Sequence, residues 1–246
     1  MRIKISWRTL VCAAAMMIAA APAIAQDGKK FEVTPSADLV SSYVWRGVYT
    51  AGASFQPGVT LSYAGLSLGA WGSTDFTNEG TNEFDLALGY SFGNVSLGVT
   101  DYWWTGRDFL YTEKGSHLYE ATVGYGIGNL SLQWNTFFAG DGDKEVLTKK
   151  ENGIDVEYYG DNQFSTYVEA SYAFDVQGVT LTPTVGITPW TGIYHGADKT
   201  GFGFSQLSLT ASKSLKITDS FSLPVFAQAI YSPTTEKAFM VFGINF

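Results

Sequence analysis

Residues 238–246 read Ala-Phe-Met-Val-Phe-Gly-Ile-Asn-Phe. Ala238, Met240, Phe242, Ile244 and Phe246 share one parity, and the stretch ends on an aromatic. In a strand, alternate side chains point to opposite faces, so one face here is apolar to its last residue. A strand with such a face predicts an apolar solvent on that side and a partner along each edge. Both demands are met by the closing strand of a lipid-embedded β-barrel that pairs with the first strand.

The opposite end of the sequence agrees. Arg2, Lys4 and Arg8 form a basic region, an apolar run follows from Thr9 to Ala21, and Ala23-Ile24-Ala25 is a cleavage-site pattern. Residues 1–25 read as a secretory signal peptide, not a membrane span. Residues 26–246 then form the mature outer-membrane barrel. The single cysteine, Cys12, lies in the leader, and Val11 stands where a lipoprotein signal needs a small residue. The mature chain therefore has no thiol for a disulfide or a thiolate metal site.

The leader carries three of the 15 basic residues and no acid, which leaves 12 against 23 acids, a net charge near −11. That balance argues against nucleic acid as a partner. Mean hydropathy is +0.03 although aromatics make up 15% of the chain. Alternating apolar-out and polar-in strands average hydropathy away in this manner, and no stretch after residue 25 approaches the ~18 apolar residues of a helical span.

The alternation predicts twelve strands, over 33–45, 55–64, 66–73, 82–92, 95–104, 117–127, 130–139, 163–174, 179–190, 204–217, 220–231 and 237–246. Short connectors at Ala64-Gly65, Gly93-Asn94, Gly128-Asn129, 175–178 and Thr218-Asp219 alternate with long ones at 46–54, 74–81, 105–116, 140–162, 191–203 and 232–236. Short periplasmic turns, long external loops and an even strand count define the topology of an outer-membrane barrel. On the outward parity, Tyr63, Tyr90, Phe92, Tyr125, Tyr172, Phe174 and Phe246 are expected to form a periplasmic aromatic girdle. Tyr43, Trp45, Trp103 and Phe138 are expected to form the outer one. Two charges, Asp101 and Lys213, also fall on the outward parity, both near an end of a strand. The 140–162 connector is expected to be an external loop, with inward folding into the lumen as its alternative.

The inward parity is polar and charged. Asp38, Glu83, Asp85, Glu120 and Glu169 are the candidate pore-lining acids, set against Arg46, Lys216 and Lys237. Charges away from water are costly, so these residues require a wet lumen or a paired network. Five acids and three bases predict a mildly cation-preferring pore. Trp71, Trp104 and Trp190 also lie on the inward parity, where they are expected to fill space. An enzyme is not expected. A nucleophile–histidine–acid set needs the histidine within reach of both partners, whereas Ser116 and His117 are strand neighbours on opposite faces. The Asp141–Glu145 run lacks the spacing of a calcium loop, so no metal or other cofactor is expected.

The segment SADLVSSYVWRG (36–47), followed by ASFQPGVTLSYAGLSLGAWGS (53–73), resembles the N-terminal region of the TorF-like porins, outer-membrane proteins of unassigned function. Ser41 or Ser42, Tyr43, Trp45, Arg46, Gly47, Gln56, Pro57, Trp71 and Gly72 carry the resemblance. It covers about forty residues and implies a porin, with no catalytic residue. The sequence thus points to an all-β, transmembrane antiparallel barrel of about twelve strands in a Gram-negative outer membrane. The expected function is passive diffusion of small polar solutes or cations. The alternative is a closed structural or surface-interaction barrel, with an outer-membrane hydrolase behind both. The expected partners are outer-membrane lipid, small solutes and the barrel-assembly machinery, which would read the C-terminal strand.

Overall fold

The computed structural model describes residues 30–77, 80, 82–104, 109, 117–196 and 198–246. The expected signal peptide lies outside them. The described chain is built from strands: β1 (Glu32–Val40), β2 (Tyr43–Trp45), β3 (Val48–Ala51), β4 (Ser54–Tyr63), β5 (Leu66–Asp75) and β6 (Glu83–Phe92). There follow β7 (Val95–Trp103), β8 (His117–Ile127), β9 (Leu130–Gly140), β10 (Lys144–Glu151), β11 (Ile154–Asn162) and β12 (Thr166–Tyr172). The last are β13 (Phe174–Val176), β14 (Val179–Thr188), β15 (Gly203–Lys216), β16 (Ser222–Ser232) and β17 (Lys237–Asn245).

Each strand of the main sheet pairs antiparallel with its neighbours, from β12 through β9 to β4, then β1, β17 and on to β14. The circle closes twice over. β1 pairs with β17, Asp38 lying opposite Asn245, and β12 pairs with β14, Val168 lying opposite Ile187. Because β12 and β13 are one strand interrupted at Ala173, the wall is a closed barrel of twelve staves. Closure leaves the barrel wall without an unpaired sheet edge among the described residues.

The turns follow the local chemistry. At Ala64-Gly65 φ is 49° and 87°, and at Gln177-Gly178 it is 51° and 78°. Positive φ at both central residues makes the type I′ turn, whose twist matches that of the strands it joins. These short turns gather at one end of the barrel, the turn end, and the long connectors gather at the other, the loop end. Eleven of the twelve expected strands begin and end within about three residues of the observed ones, inside the usual boundary error.

The exterior carries the expected apolar parity. Leu68, Leu88, Val99, Val123, Trp134 and Leu209 are exposed, and on the closing strand Met240 and Phe242 are 57% and 56% exposed. The seven aromatics expected near the turn end are all exposed. The outer ring is different. Phe138 is exposed as expected, but Tyr43 and Trp45 are buried, at 4% and 6%. The cause is that the first expected strand is two. β1 stops at Val40, and the chain leaves the wall before β2 begins. Exposed Phe55, Phe164, Phe202 and Phe204 stand among the loop-end aromatics instead.

Of the two outward charges, Asp101 pairs with His117 Nδ1 at 2.8 Å, and Lys213 is exposed on β15. His117 Nε2 lies 2.8 Å from the Phe109 carbonyl, so both ring nitrogens are engaged.

The 140–162 connector is a second departure. It folds as the antiparallel β10–β11 hairpin, with almost every side chain exposed and a tip at Asn152-Gly153. Its base is clamped, since the Asp143 carboxylate accepts the Ser165 N–H at 3.0 and 3.3 Å. The hairpin therefore stands clear of the barrel and does not enter the lumen. Trypsin is expected to cut folded protein in detergent next to Lys149 and Lys150 and leave the barrel intact. Two fragments that stay associated until boiled would show this on a gel, whereas resistance at these lysines would place the hairpin against the wall.

Candidate functional site

The connector that does fold inward is 41–53. β2 and β3 form a small hairpin whose two-residue tip is Arg46-Gly47, with φ at 51° and 83°. An arginine at positive φ is held in a conformation that costs on the order of 1–3 kcal/mol, so neighbouring contacts must hold it there. They are strong ones. Arg46 Nη1 and Nη2 donate to Glu120 Oε1 and Oε2 at 2.5 and 2.9 Å, a two-pronged pair across the lumen. Nη1 also donates to the Tyr194 hydroxyl at 2.5 Å. The guanidinium lies 4.5 Å from the ring centre of Trp45 and 4.9 Å from that of Tyr167. A planar cation suits this mixture of fork-shaped hydrogen bonding and ring contact.

The hairpin divides the loop-end half of the lumen. One face carries Tyr43, Trp45 and Ala51, which pack with Tyr102, Leu118, Phe137, Tyr167 and Tyr194. Trp45 is the hub, its ring centre 5.6 Å from both Tyr102 and Tyr194 and 6.2 Å from Phe137. The other face carries Val44, which joins Val40 in a cluster with Phe226, Ile230 and Val241 on the opposite wall. Trp71 and Trp104 pack against the first cluster and fill space as expected, whereas Trp190 is 40% exposed and donates to the Phe164 carbonyl. Phe137 and Tyr194 have no exposed surface, Glu120 has 1% and Arg46 5%, so water does not reach this layer.

Toward the turn end the lumen is wet. The inward Thr60, Ser62, Gln133, Thr182, Ser208 and Ser212 are only partly buried. The interior is thus a polar cup closed at the loop end by an aromatic and ionic plug.

The six candidate residues fall into four groups. Arg46 pairs with Glu120, not with Glu83 or Glu169, because the hairpin tip crosses to β8. Glu83 and Asp85 stand two residues apart on β6, both buried. Glu169 accepts a hydrogen bond from the Tyr167 hydroxyl at 2.5 Å, beneath the plug. Asp38 accepts from Asn245 Nδ2 at 2.8 Å near the β1–β17 seam. The expected inward bases Lys216 and Lys237 are exposed. Lys216 lies at the turn end, where it pairs with Asp219, and Lys237 lies at the loop end. Among the described residues the lumen therefore holds five carboxylates against one guanidinium.

Sequence reasoning missed Tyr102, Tyr167 and Tyr194. The first two sit on inward parities and were detectable there. Tyr194 comes from the β14–β15 connector, where no periodicity marks it. Fold and site together define a closed twelve-stranded antiparallel barrel with an internal plug. No protein-family model matches the chain, and no curated protein matches it.

Breaking a buried ion pair from one side costs about 3–5 kcal/mol, because the surviving charge is left uncompensated. Arg46→Met is accordingly expected to lower the stability of the refolded barrel by about that amount. Adding Glu120→Met should restore most of it, as read from urea unfolding in vesicles. Gly47→Ala probes the hairpin without touching charge. A Cβ there would stand 1.8 Å from the Ser205 carbonyl oxygen, so the tip cannot seat. Trp45 fluorescence should shift to the red as the ring meets water, and an unchanged spectrum would show that the tip tolerates the extra carbon.

Proposed function

We propose that the chain is an outer-membrane protein of a Gram-negative bacterium, exported by the leader at residues 1–25, and a porin of the TorF-like kind. The exterior supports the membrane reading. A closed barrel satisfies every backbone group internally, and an exposed apolar belt with aromatics toward both ends matches lipid and its headgroup boundaries. The closing strand, apolar to its outward face and ending at Phe246, suits recognition by barrel-assembly machinery.

The observation that carries the transport reading is the polar cup beneath a plug formed by a single inserted hairpin. The β2–β3 hairpin is covalently joined to the wall only at its two ends and is held in place by its tip and by the apolar packing of both faces. We read the plugged form as resting and the conducting form as one in which the hairpin leaves the axis. The solutes are then small and polar, with cations favoured, since among the described residues five carboxylates face one guanidinium. The second reading, a closed structural or surface-interaction barrel, is favoured by the dryness of the Arg46–Glu120 layer. His117, with both ring nitrogens engaged on the outer wall, supports a non-enzymatic reading.

Recording from refolded protein in planar bilayers separates the two readings. The transport reading expects rare, small conductance steps in the wild type and more frequent or larger ones in Gly47→Ala. In a KCl gradient the reversal potential should show cation preference, and Glu169→Gln should move it toward zero. Silence from both proteins would establish the closed barrel, and anion preference would overturn the lumenal charge assignment. On intact cells, cleavage next to Lys149 and Lys150 is expected without rupture of the outer membrane; cleavage only after rupture would invert the topology.

A further inference from the structure

Glu83 and Asp85 are not explained by the plug. Both lie on the inward face of β6, 4% and 1% exposed. Both oxygens of Glu83 and Oδ1 of Asp85 are buried without a hydrogen-bond partner. The Trp104 and Tyr43 side chains and the Asp85 carboxyl reach toward Glu83, and the Trp103 backbone N–H toward Asp85, but Glu83 Oε1 and Oε2 and Asp85 Oδ1 have no well-formed hydrogen bond. Among the described residues the one guanidinium in the lumen is committed to Glu120. A pair of neighbouring carboxylates away from water, with no cation facing them among the described residues, is not a stable arrangement by itself.

The surrounding wall supplies more oxygen. The strand register places Ser73 opposite Glu83 and Trp71 opposite Asp85. Gln56 reaches Ser73, its Nε2 donating to the Ser73 Oγ at 3.3 Å, which leaves the amide oxygen as a donor atom for a ligand. Three adjacent strands, β4, β5 and β6, thus present two carboxylates, a hydroxyl and an amide to one patch of the inner wall. No nitrogen or sulfur ligand is among them.

We propose that Glu83 and Asp85, assisted by Gln56 and Ser73, bind a calcium-class divalent cation in the wall of the lumen. All the donors are hard oxygens, which selects against transition metals held by imidazole or thiolate. Two carboxylates that can each bind through one or both oxygens suit the irregular six- to eight-oxygen shell of calcium better than the strict octahedron of magnesium. The cation cancels the charge of the pair and ties β6 to β5 and β4 beside Tyr43, so it also steadies the β2 side of the plug. This assignment does not depend on whether the barrel conducts.

The experiment uses full-length mature protein refolded in detergent, with terbium as the calcium probe. Trp71 opposite Asp85, and Trp104 beside Glu83, are placed to sensitise terbium emission. Excitation of tryptophan should give terbium emission that saturates at one ion per barrel and is displaced by calcium. Glu83→Gln with Asp85→Asn should weaken terbium binding by about tenfold or more, whereas Asp141→Asn in the external connector should leave it unchanged. The temperature at which the folded band is lost on a gel should rise with calcium and fall with chelator in the wild type, but not in the double variant. Should the double variant fail to fold, Asp85→Asn alone and the chelator response of the wild type carry the test. Absence of sensitised emission, or equal emission from the double variant, would overturn the proposal. So would a calcium-independent wild type that the double variant exceeds in stability, since the pair then shares a proton.

Discussion

Arg46 and Glu120 make the interaction on which the interior depends. Each is buried, each is charged, and each has the other as its counter-ion. The pair joins two points far apart in sequence, the tip of the β2–β3 hairpin and the loop-end part of β8. The attraction does more than offset the desolvation of two ions, a balance that seldom favours buried pairs strongly. It holds Arg46 at positive φ and places Trp45 at the centre of four aromatic residues. Without the pair there is no reason for a short hairpin to cross a barrel, because Val44 and Trp45 alone could bury themselves against the nearest wall.

That placement separates the barrel into two environments. Around the pair, bulky rings exclude water. Toward the turn end, threonine, serine and glutamine side chains line a space that solvent enters. Twelve staves enclose more room than the eight that side chains alone can fill and less than the sixteen that leave a wide channel. An intermediate lumen needs one inserted element to close it, and the hairpin supplies that element. The clustering of acid follows the same division. Glu120 is neutralised inside the dry layer, Glu83 and Asp85 sit at its edge, and Glu169 and Asp38 sit at or beyond it.

Much of the wall was legible because its rules are local. Period-two alternation located the strands, and Ala64-Gly65 and Gly93-Asn94 marked tight turns by the backbone freedom that such turns require. The inward parity pointed Asp38, Glu83, Asp85, Glu120 and Glu169 to the inner face of the sheet. What alternation could not reveal was where a strand leaves the wall. Tyr43 and Trp45 continue the pattern of β1 almost unbroken, and two aromatics at a strand end read equally well as a membrane girdle or as the apolar face of a plug. The pairing of Arg46 was hidden for a related reason. Parity says that a side chain points inward, but not how far across the lumen its backbone has travelled. The β10–β11 hairpin was masked by its polarity, since a strand pair exposed on both faces has no apolar period to display.

The plug also constrains how such a barrel can open. If the hairpin moved and left Glu120 dry, the cost would be that of a bare buried carboxylate, several kcal/mol. The hairpin can therefore leave only if water follows it, solvating Arg46 and Glu120 together. Wetting of the lumen and withdrawal of the hairpin are then one event, not two in sequence. Partial withdrawal is the least favourable arrangement of all, because it breaks the pair without hydrating it. On the proposed transport reading the interior would be bistable, either closed and dry with the charges paired or open and wet with them apart. Glu83 and Asp85 lie at the boundary between these states, against Tyr43 and Trp104. A cation held there favours the dry one, because it leaves no unpaired charge that would draw water in.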